Sequence, residues 1–168
     1  MNIFKKLIRN FYENKLDRIK IISQLRRYHE KKYISMELLS MLLGVFKVQE
    51  TRVKDIMIPR SNMVIIKKNS SINEILPLII KSSHSRFPVI LENKDEVVGI
   101  LLAKDLLKFI NNDTEIFNID EIIRPSVIIP ETKKLNVLLS EFKSGRNHLA
   151  VVVDEYGGVS GLITIEDV

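Results

Sequence analysis

The chain has 168 residues, 45% of them apolar, a composition that excludes a disordered protein and supports one globular unit or two small lobes. It has no cysteine, which excludes disulfides, thiolate metal sites and a cysteine nucleophile, and indicates a reducing cytosolic compartment. The net charge of +5 is uneven, because residues 1–34 hold ten Lys/Arg against three acidic residues, a net of +7 that leaves the remainder at −2.

The N-terminal residues form a basic amphipathic arm. Such an arm predicts contact with RNA, an acidic membrane surface or an acidic partner, although a solvated helical face has the same composition. Neither MELLSMLLGVF nor VVGILLA approaches the roughly 20 apolar residues that a membrane helix needs. The start has no extended apolar core and no cleavage site of a secretory signal. We therefore expect a cytoplasmic protein without a transmembrane segment of its own.

Several phrases occur twice in the sequence. GILLAKDLLKF, which begins at Gly99, aligns with GLITIEDV, which begins at Gly161. RFPVI from Arg86 aligns with HLAVV from His148, and VKDIMIP resembles IDEIIRP further upstream. This self-similarity predicts two copies of about sixty residues each.

Each copy has the pattern of a β-α-β-β-α unit. MVIIKK and SVIIP are short β-branched runs that predict a first strand. SINEILPLIIKS predicts a helix that begins with a capping box of Ser71 and Glu74, and Pro77 predicts a kink within it. Two apolar runs on either side of a polar turn then predict a hairpin, and a final helix begins at the GILLAKD or GLITIED phrase.

The two units are expected to pack on each other. Neither copy alone covers both faces of its predicted three-strand sheet, so the copies should form a pseudo-twofold pair. The predicted fold class is α/β (α+β), with repeats over residues 51–112 and 113–168 and with NNDTEIFN as the linker between them.

Four stretches of the sequence are similar to a known family: VKDIMIPRSNM, HSRFPVI, GILLAKDLL and HLAVVVDEYGGVSGLITIEDV. They resemble a tandem pair of CBS domains, and more narrowly the CorC family of magnesium and cobalt efflux proteins. The resemblance implies a regulatory module, not an enzyme, that binds an adenosine nucleotide (AMP or ATP, with or without Mg²⁺) in clefts between the repeats. It implies a homodimer and a basic helical lead-in over residues 1–50. It further implies a role in magnesium and cobalt transport through a partner membrane transporter, in the cytoplasm or peripherally at the inner membrane.

The family resemblance has one further implication, and the basic residues leave other functions open. Relatives continue through the last helix into a C-terminal domain, so the second CBS domain is expected to be cut short after Val168. An alternative function is an RNA- or ribosome-associated factor that binds through residues 1–34 and uses the CBS pair as a switch. A hydrolase acting on the nucleotide is a more distant alternative.

The terminal phrase TIEDV has three interpretations. A catalytic carboxylate pair needs two converging side chains, whereas Glu166 and Asp167 are adjacent at a helix start. Thr164 followed three residues later by Asp167 is also a capping box. In a ligand site, Asp167 would accept hydrogen bonds from ribose hydroxyls and Thr164 would contact phosphate or ribose. The cap and the ligand site are compatible with each other.

The two copies differ at the position of this threonine. Leu102 stands in the first copy where Thr164 stands in the second, so no hydroxyl is available there. We therefore expect the nucleotide mainly at Asp167, with Asp105 marking a weaker or empty site.

The family resemblance nominates further residues around the clefts. Arg60 and Arg86 are the expected phosphate partners, because a guanidinium offers paired donors. Phe87 and Leu149 have simple core packing as an alternative. The scattered histidines show no metal-ligand spacing, so no metal site is predicted. The nominated residues are Ile58, Pro59, Arg60, Met63, Arg86, Phe87, Pro88, Pro130, His148 and Leu149.

Overall fold

A computed structural model describes residues 3–110 and 117–168 of the chain. These residues divide into two compact units, Met1–Glu50 and Thr51–Val168, which are described separately below. The predicted linker NNDTEIFN lies mostly outside the described residues.

The N-terminal unit is a pair of helices, α1 (Ile3–Glu30) and α2 (Met36–Val48). Ser35 caps α2 by accepting a hydrogen bond from the Leu38 backbone N–H at 3.2 Å. Arg18 of α1 donates to the Phe46 carbonyl oxygen at 2.8 Å, lies 5.7 Å from the Phe46 ring centroid and pairs with Glu50. No helix in the described residues combines the length and apolar content required to cross a membrane.

The second unit contains the two repeats, and the predicted β-α-β-β order is confirmed in both, whereas the predicted final helix is a short α-helix in the first repeat and a 3₁₀ turn in the described residues of the second. The first repeat comprises β1 (Ile58–Pro59), β2 (Ile66–Lys67), α3 (Ile72–Ser82), β3 (Arg86–Ile90), β4 (Val97–Leu102) and α4 (Leu107–Ile110). The second comprises β5 (Ile123–Arg124), β6 (Val127–Pro130), α5 (Leu135–Gly145), β7 (Leu149–Val153) and β8 (Val159–Thr164), followed by a single 3₁₀ turn, Ile165–Asp167.

The helix α3 begins as the sequence predicted. The Ser71 backbone N–H donates to Glu74 Oε2 at 2.7 Å, which completes the capping box. The helix continues through Pro77 to Ser82.

The predicted three-strand sheets are wrong, because each sheet has four strands in the orders β1-β8-β7-β6 and β2-β3-β4-β5. The additional strand comes from the other repeat. β1, from the first repeat, pairs antiparallel with β8, while β5, from the second, pairs antiparallel with β4. These exchanged strands have only two residues each, which is too short for an alternating pattern to reveal them.

Glycine is required where the exchanged strands pass. Pro59 of β1 lies opposite Gly161 of β8, and a Cβ atom at Gly161 would overlap the carbonyl oxygen of Ile58. In the other sheet, a Cβ atom at Gly99 would lie 2.6 Å from the carbonyl oxygen of Arg124. The repeated glycine in GILL and GLIT therefore permits the close approach of a neighbouring backbone.

The predicted alignment of Arg86 with His148 is wrong by one residue. Arg86 pairs with Leu102, whereas Leu149 pairs with the corresponding Thr164. Both hairpins also shift register between the last two residues of their first strand, at equivalent positions. Arg86 is thus the counterpart of Leu149.

Within the described residues, two clusters of buried apolar side chains each contain residues of both repeats. Ile119 and Ile122, from the start of the second repeat, pack with Phe87 and Leu101 of the first. In the other cluster, Met63 and Ile100 of the first repeat pack with residues of the second repeat. That second cluster contains Met63, Ile100, Leu149, Val151, Val159 and Leu162.

Replacing Gly161 with alanine should destabilise the protein. Because the new methyl group must displace the β1 backbone, we expect Gly161→Ala to lower the free energy of unfolding by about 3 kcal/mol. Gly44→Ala is the matched control, because nothing lies within 4 Å of a Cβ atom at Gly44 inside α2. It should be neutral or raise the free energy of unfolding by about 1 kcal/mol. Urea denaturation followed by circular dichroism measures both, and equal effects would contradict the close approach.

Candidate functional site

A cleft of about 320 Å³ opens between β1, the segments around β3 and the ends of β7 and β8. We call it the Asp167 cleft. Its lining residues are Ile58, Asn62, Met63, Val64, Ser83, His84, Ser85, Arg86, Leu149, Leu162, Thr164, Glu166 and Asp167. It therefore draws on both repeats.

The Asp167 cleft has an apolar wall beside a polar edge. Met63, Leu149 and Leu162 belong to one hydrophobic cluster, and each remains only about 5–6% exposed. Asp167 and Arg86 add a carboxylate and a guanidinium along the same cleft. This arrangement can hold a flat apolar group while it binds hydroxyl and anionic groups.

Thr164 and Asp167 form a capping box at the 3₁₀ turn Ile165–Asp167. The Thr164 backbone N–H and its Oγ1 hydroxyl both donate to Asp167 Oδ2, each at 2.7 Å. The other carboxylate oxygen, Oδ1, accepts no hydrogen bond from the part of the chain that the structure describes. The capping interpretation is confirmed, and it leaves an acceptor for a ligand.

The structure brings several nominated residues into this cleft. Ile58, Met63, Arg86 and Leu149 line it together with the capping pair. Exchange of β1 places Ile58 opposite Leu162, and the antiparallel pairing of β7 with β8 places Leu149 opposite Thr164.

Other nominated residues lie outside the Asp167 cleft. Phe87 is fully buried in the first core cluster, and Pro88 is buried beside it in β3. Pro59 lies opposite Gly161, and Pro130 is exposed at the end of β6. Arg60 does not line the cleft either.

Arg60 is instead part of a link between the repeats. Its Nη2 donates to Asp95 Oδ2 at 2.8 Å, and Asp95 Oδ1 accepts the Val159 backbone N–H at 2.9 Å. Lys94 Nζ donates to the Arg60 carbonyl oxygen at 2.7 Å. The hydrogen bond from Arg60, followed by that from Val159, lowers the pKa of Asp95 below its ordinary value. Asp95 belongs to the polar turn ENKDE, and no local pattern in the sequence indicates this link, because Arg60 and Val159 are distant from the turn in sequence.

A second cleft, of about 510 Å³, occupies the related position beside β4 and β5. We call it the basic cleft. His84, Ser85, Arg86 and Leu149 line both clefts. The remaining lining residues are Ile100, Leu102, Ala103, Lys104, Arg124, Pro125, Val127, Arg146, Asn147 and His148.

The carboxylate of Asp105 is already engaged. Arg124 Nη2 donates to Asp105 Oδ2 at 2.8 Å, and the Asp105 side chain is 18% exposed. Asp105 does not line the basic cleft. The two corresponding aspartates thus differ, since Asp167 faces a cleft and Asp105 is ion-paired.

Two other predictions concern groups away from the clefts. Within residues 3–110 and 117–168, no three His, Asp or Glu side chains are grouped so that they could hold a metal ion. The predicted RNA or acidic surface on residues 1–34 includes Lys5, Lys6, Arg9 and Lys15, whose side chains lie outside the described part.

Comparison with known proteins matches the CBS domain family at residues 53–112 and 119–168. The magnesium and cobalt efflux protein CorC of Salmonella typhimurium is 46% identical over 158 residues, covering 94% of this chain and 54% of that protein. This chain therefore spans about half the length of the curated relatives that it matches.

Solved structures give the same relationship. A conserved domain of unknown function from Neisseria meningitidis is 48% identical with a TM-score of 0.82, covering 88% of this chain and 96% of that one. The CBS domain of a bacterial CNNM/CorC family Mg²⁺ transporter in complex with ATP is 37% identical with a TM-score of 0.70, covering 76% and 90%.

Removing the Asp95 carboxylate should change how stability depends on pH. Because the folded pKa of Asp95 is lowered, its ionised form stabilises the protein above the unfolded pKa of about 3.9, and this is lost as pH falls through the folded value. Asp95→Asn should therefore have a lower melting temperature than wild type at neutral pH, and the difference should shrink below about pH 4.

Scanning calorimetry from neutral to acidic pH measures this difference. Glu155→Gln removes a carboxylate from the exposed turn of the other hairpin and should leave the melting temperature unchanged at neutral pH. A constant difference between wild type and Asp95→Asn across the pH range would contradict the assigned role of Asp95.

Proposed function

Since this chain belongs to the CBS domain family, as a tandem pair of the CorC type, we propose that it is a regulatory module that binds an adenosine nucleotide in the Asp167 cleft. The observation that supports this most directly is the meeting of an apolar slot, a free carboxylate oxygen and a guanidinium in one cleft. The solved CBS domain in complex with ATP supports the same ligand class.

The apolar wall suits the adenine ring. Ile58, Met63, Leu149 and Leu162 present aliphatic and thioether surface, which favours a flat ring with little charge. A volume of about 320 Å³ is at the lower end of the range for small-molecule sites, so the cleft holds part of a nucleotide and leaves the rest at its open edge.

The polar edge suits the ribose and the phosphates. Asp167 Oδ1 is available to accept from ribose hydroxyls, while Oδ2 remains engaged with Thr164. Arg86 supplies paired donors for phosphate oxygens. Because Thr164 fixes the carboxylate through two hydrogen bonds, the acceptor is oriented before the ligand arrives.

The nucleotide would act by changing the packing of the two repeats. The Asp167 cleft is lined by both repeats, so a ligand there can favour one arrangement of them by its difference in affinity for the alternatives. We propose that this regulates magnesium and cobalt transport through a partner membrane transporter, with the protein in the cytoplasm or at the inner membrane. The names of the relatives support this role. No catalytic step is part of the proposal.

We also propose that the CBS pair forms a homodimer through its helices. Ile80 of α3 is 76% exposed and Leu107 of α4 is 63% exposed, which is unfavourable for large apolar side chains in water. Self-association through these helices would remove that surface from solvent.

Replacing Asp167 should weaken nucleotide binding. We expect Asp167→Ala to weaken AMP and ATP binding at least about tenfold, because the ribose loses a charged acceptor, whereas Asp105→Ala should change it little. Calorimetric titration with and without Mg²⁺ measures this. Preference for ATP with Mg²⁺ would support a role in magnesium sensing.

The control for this experiment is Glu74→Ala. It removes the same type of cap from α3, outside the Asp167 cleft, so it should cost stability without changing affinity. Equal losses of binding in Asp105→Ala and Asp167→Ala, or no binding by well-folded wild type, would contradict the proposal.

Placing a charge at Ile80 should weaken the dimer. Ile80→Glu would put a carboxylate into the proposed apolar interface and should shift the protein towards monomer. Sedimentation velocity measures the mass, and Tyr156→Glu, at a 91% exposed side chain in the turn between β7 and β8, controls for the same added negative charge. A dimer that is unchanged in Ile80→Glu would place the interface elsewhere.

A further inference from the structure

The basic cleft has the opposite charge character from the Asp167 cleft, although the two occupy related positions in the repeats. Arg86, Lys104, Arg124 and Arg146 line the basic cleft, and none of its lining residues is acidic. The Asp167 cleft shares Arg86 but is also lined by two acidic residues. A duplicated site has therefore diverged in the sign of its charge.

Two cations replace residues of the Asp167 cleft at matched backbone positions. Lys104 follows β4 where Glu166 follows β8, so a base replaces an acid. Arg146 ends α5 where Ser83 ends α3, and both adopt the left-handed conformation, with φ of 53° and 56°. The shared conformation shows that these two positions correspond.

A third replacement removes the ribose acceptor. Arg124 of β5 stands where Ile58 stands in β1, and it donates to Asp105. The charge of Asp105, the carboxylate that corresponds to Asp167, is thereby neutralised by Arg124. The apolar residue that would contact a base is lost as well, so the basic cleft is poorly suited to a nucleoside.

Three of the four cations of this cleft are available to a ligand, because only Arg124 is paired, with Asp105. Lys104 and Arg146 are exposed, and Arg86 is partly exposed. Within the described part of the chain, their side chains form no hydrogen bond or ion pair. Like charges held around one cavity repel each other, and a multivalent anion would relieve that repulsion.

We propose that the basic cleft binds an oligophosphate anion, of the pyrophosphate or tripolyphosphate class, without requiring a nucleoside. Guanidinium groups bind phosphate oxygens through paired donors, and several cations around one cavity favour several linked phosphates over a single one. The anion has two sources: a free oligophosphate, or the phosphate tail of a nucleotide whose adenosine occupies the Asp167 cleft, since Arg86 lines both clefts. The site does not rest on the nucleotide proposal, because its residues bind phosphate whichever source supplies it.

Calorimetric titration of tripolyphosphate into the protein, without divalent cations, tests this site. We expect one tripolyphosphate per chain, with affinity that falls as salt is raised. The double variant Lys104→Ala/Arg146→Ser should weaken binding at least about tenfold. Its serine at position 146 matches Ser83 at the corresponding position of the Asp167 cleft. Lys81→Ala/Lys143→Ala removes the same charge outside the cleft and should bind like wild type.

Further arms of the experiment separate the two sources. A free oligophosphate is indicated if tripolyphosphate still binds when AMP saturates the Asp167 cleft. A nucleotide tail is indicated if ATP, but not AMP, loses affinity in the Lys104→Ala/Arg146→Ser variant. Absence of tripolyphosphate binding, equal weakening in the Lys81→Ala/Lys143→Ala control, or loss of tripolyphosphate binding in Asp167→Ala would overturn the proposal.

Discussion

The close approach of exchanged backbone at Gly99 and Gly161 is the constraint on which this structure depends. Each glycine lets a two-residue strand from one repeat complete the sheet of the other. The exchange brings Ile58 beside β8 and Arg124 beside β4, and so supplies one wall of each cleft. A side chain at either glycine would force the strand away and separate that wall from the rest of the site.

Most of the fold could be predicted from local patterns in the sequence. The capping box at Ser71, the helical spacing that follows it and the paired apolar runs depend on neighbours close in the chain, and all appear in the structure. The same holds for the cap at Thr164, which sequence could place but could not distinguish from a ligand site. Contacts between distant residues were not predictable in this way. The partner of Arg60 is Asp95, and neither residue has a local feature that indicates the other.

The repeat comparison also shows where alignment by residue type fails. Arg86 and His148 are both basic, yet the strand pairing equates Arg86 with Leu149. A shift of one residue in a strand changes which face a side chain occupies, so this small error matters for the site. With the corrected register, Arg86 belongs to both clefts, and the differences between them reside in residues after β4, at the end of α5 and in β5.

The exchange of strands also governs how such a chain can reach its native state. Arg60, directly after β1, contacts Val159 of β8 across 99 positions of sequence. Closing so long a loop costs conformational entropy before the pairing energy is recovered, and nonlocal pairing of this kind is associated with slow folding. Because each sheet lacks an edge strand until the other repeat is present, the two repeats should acquire their final stability together.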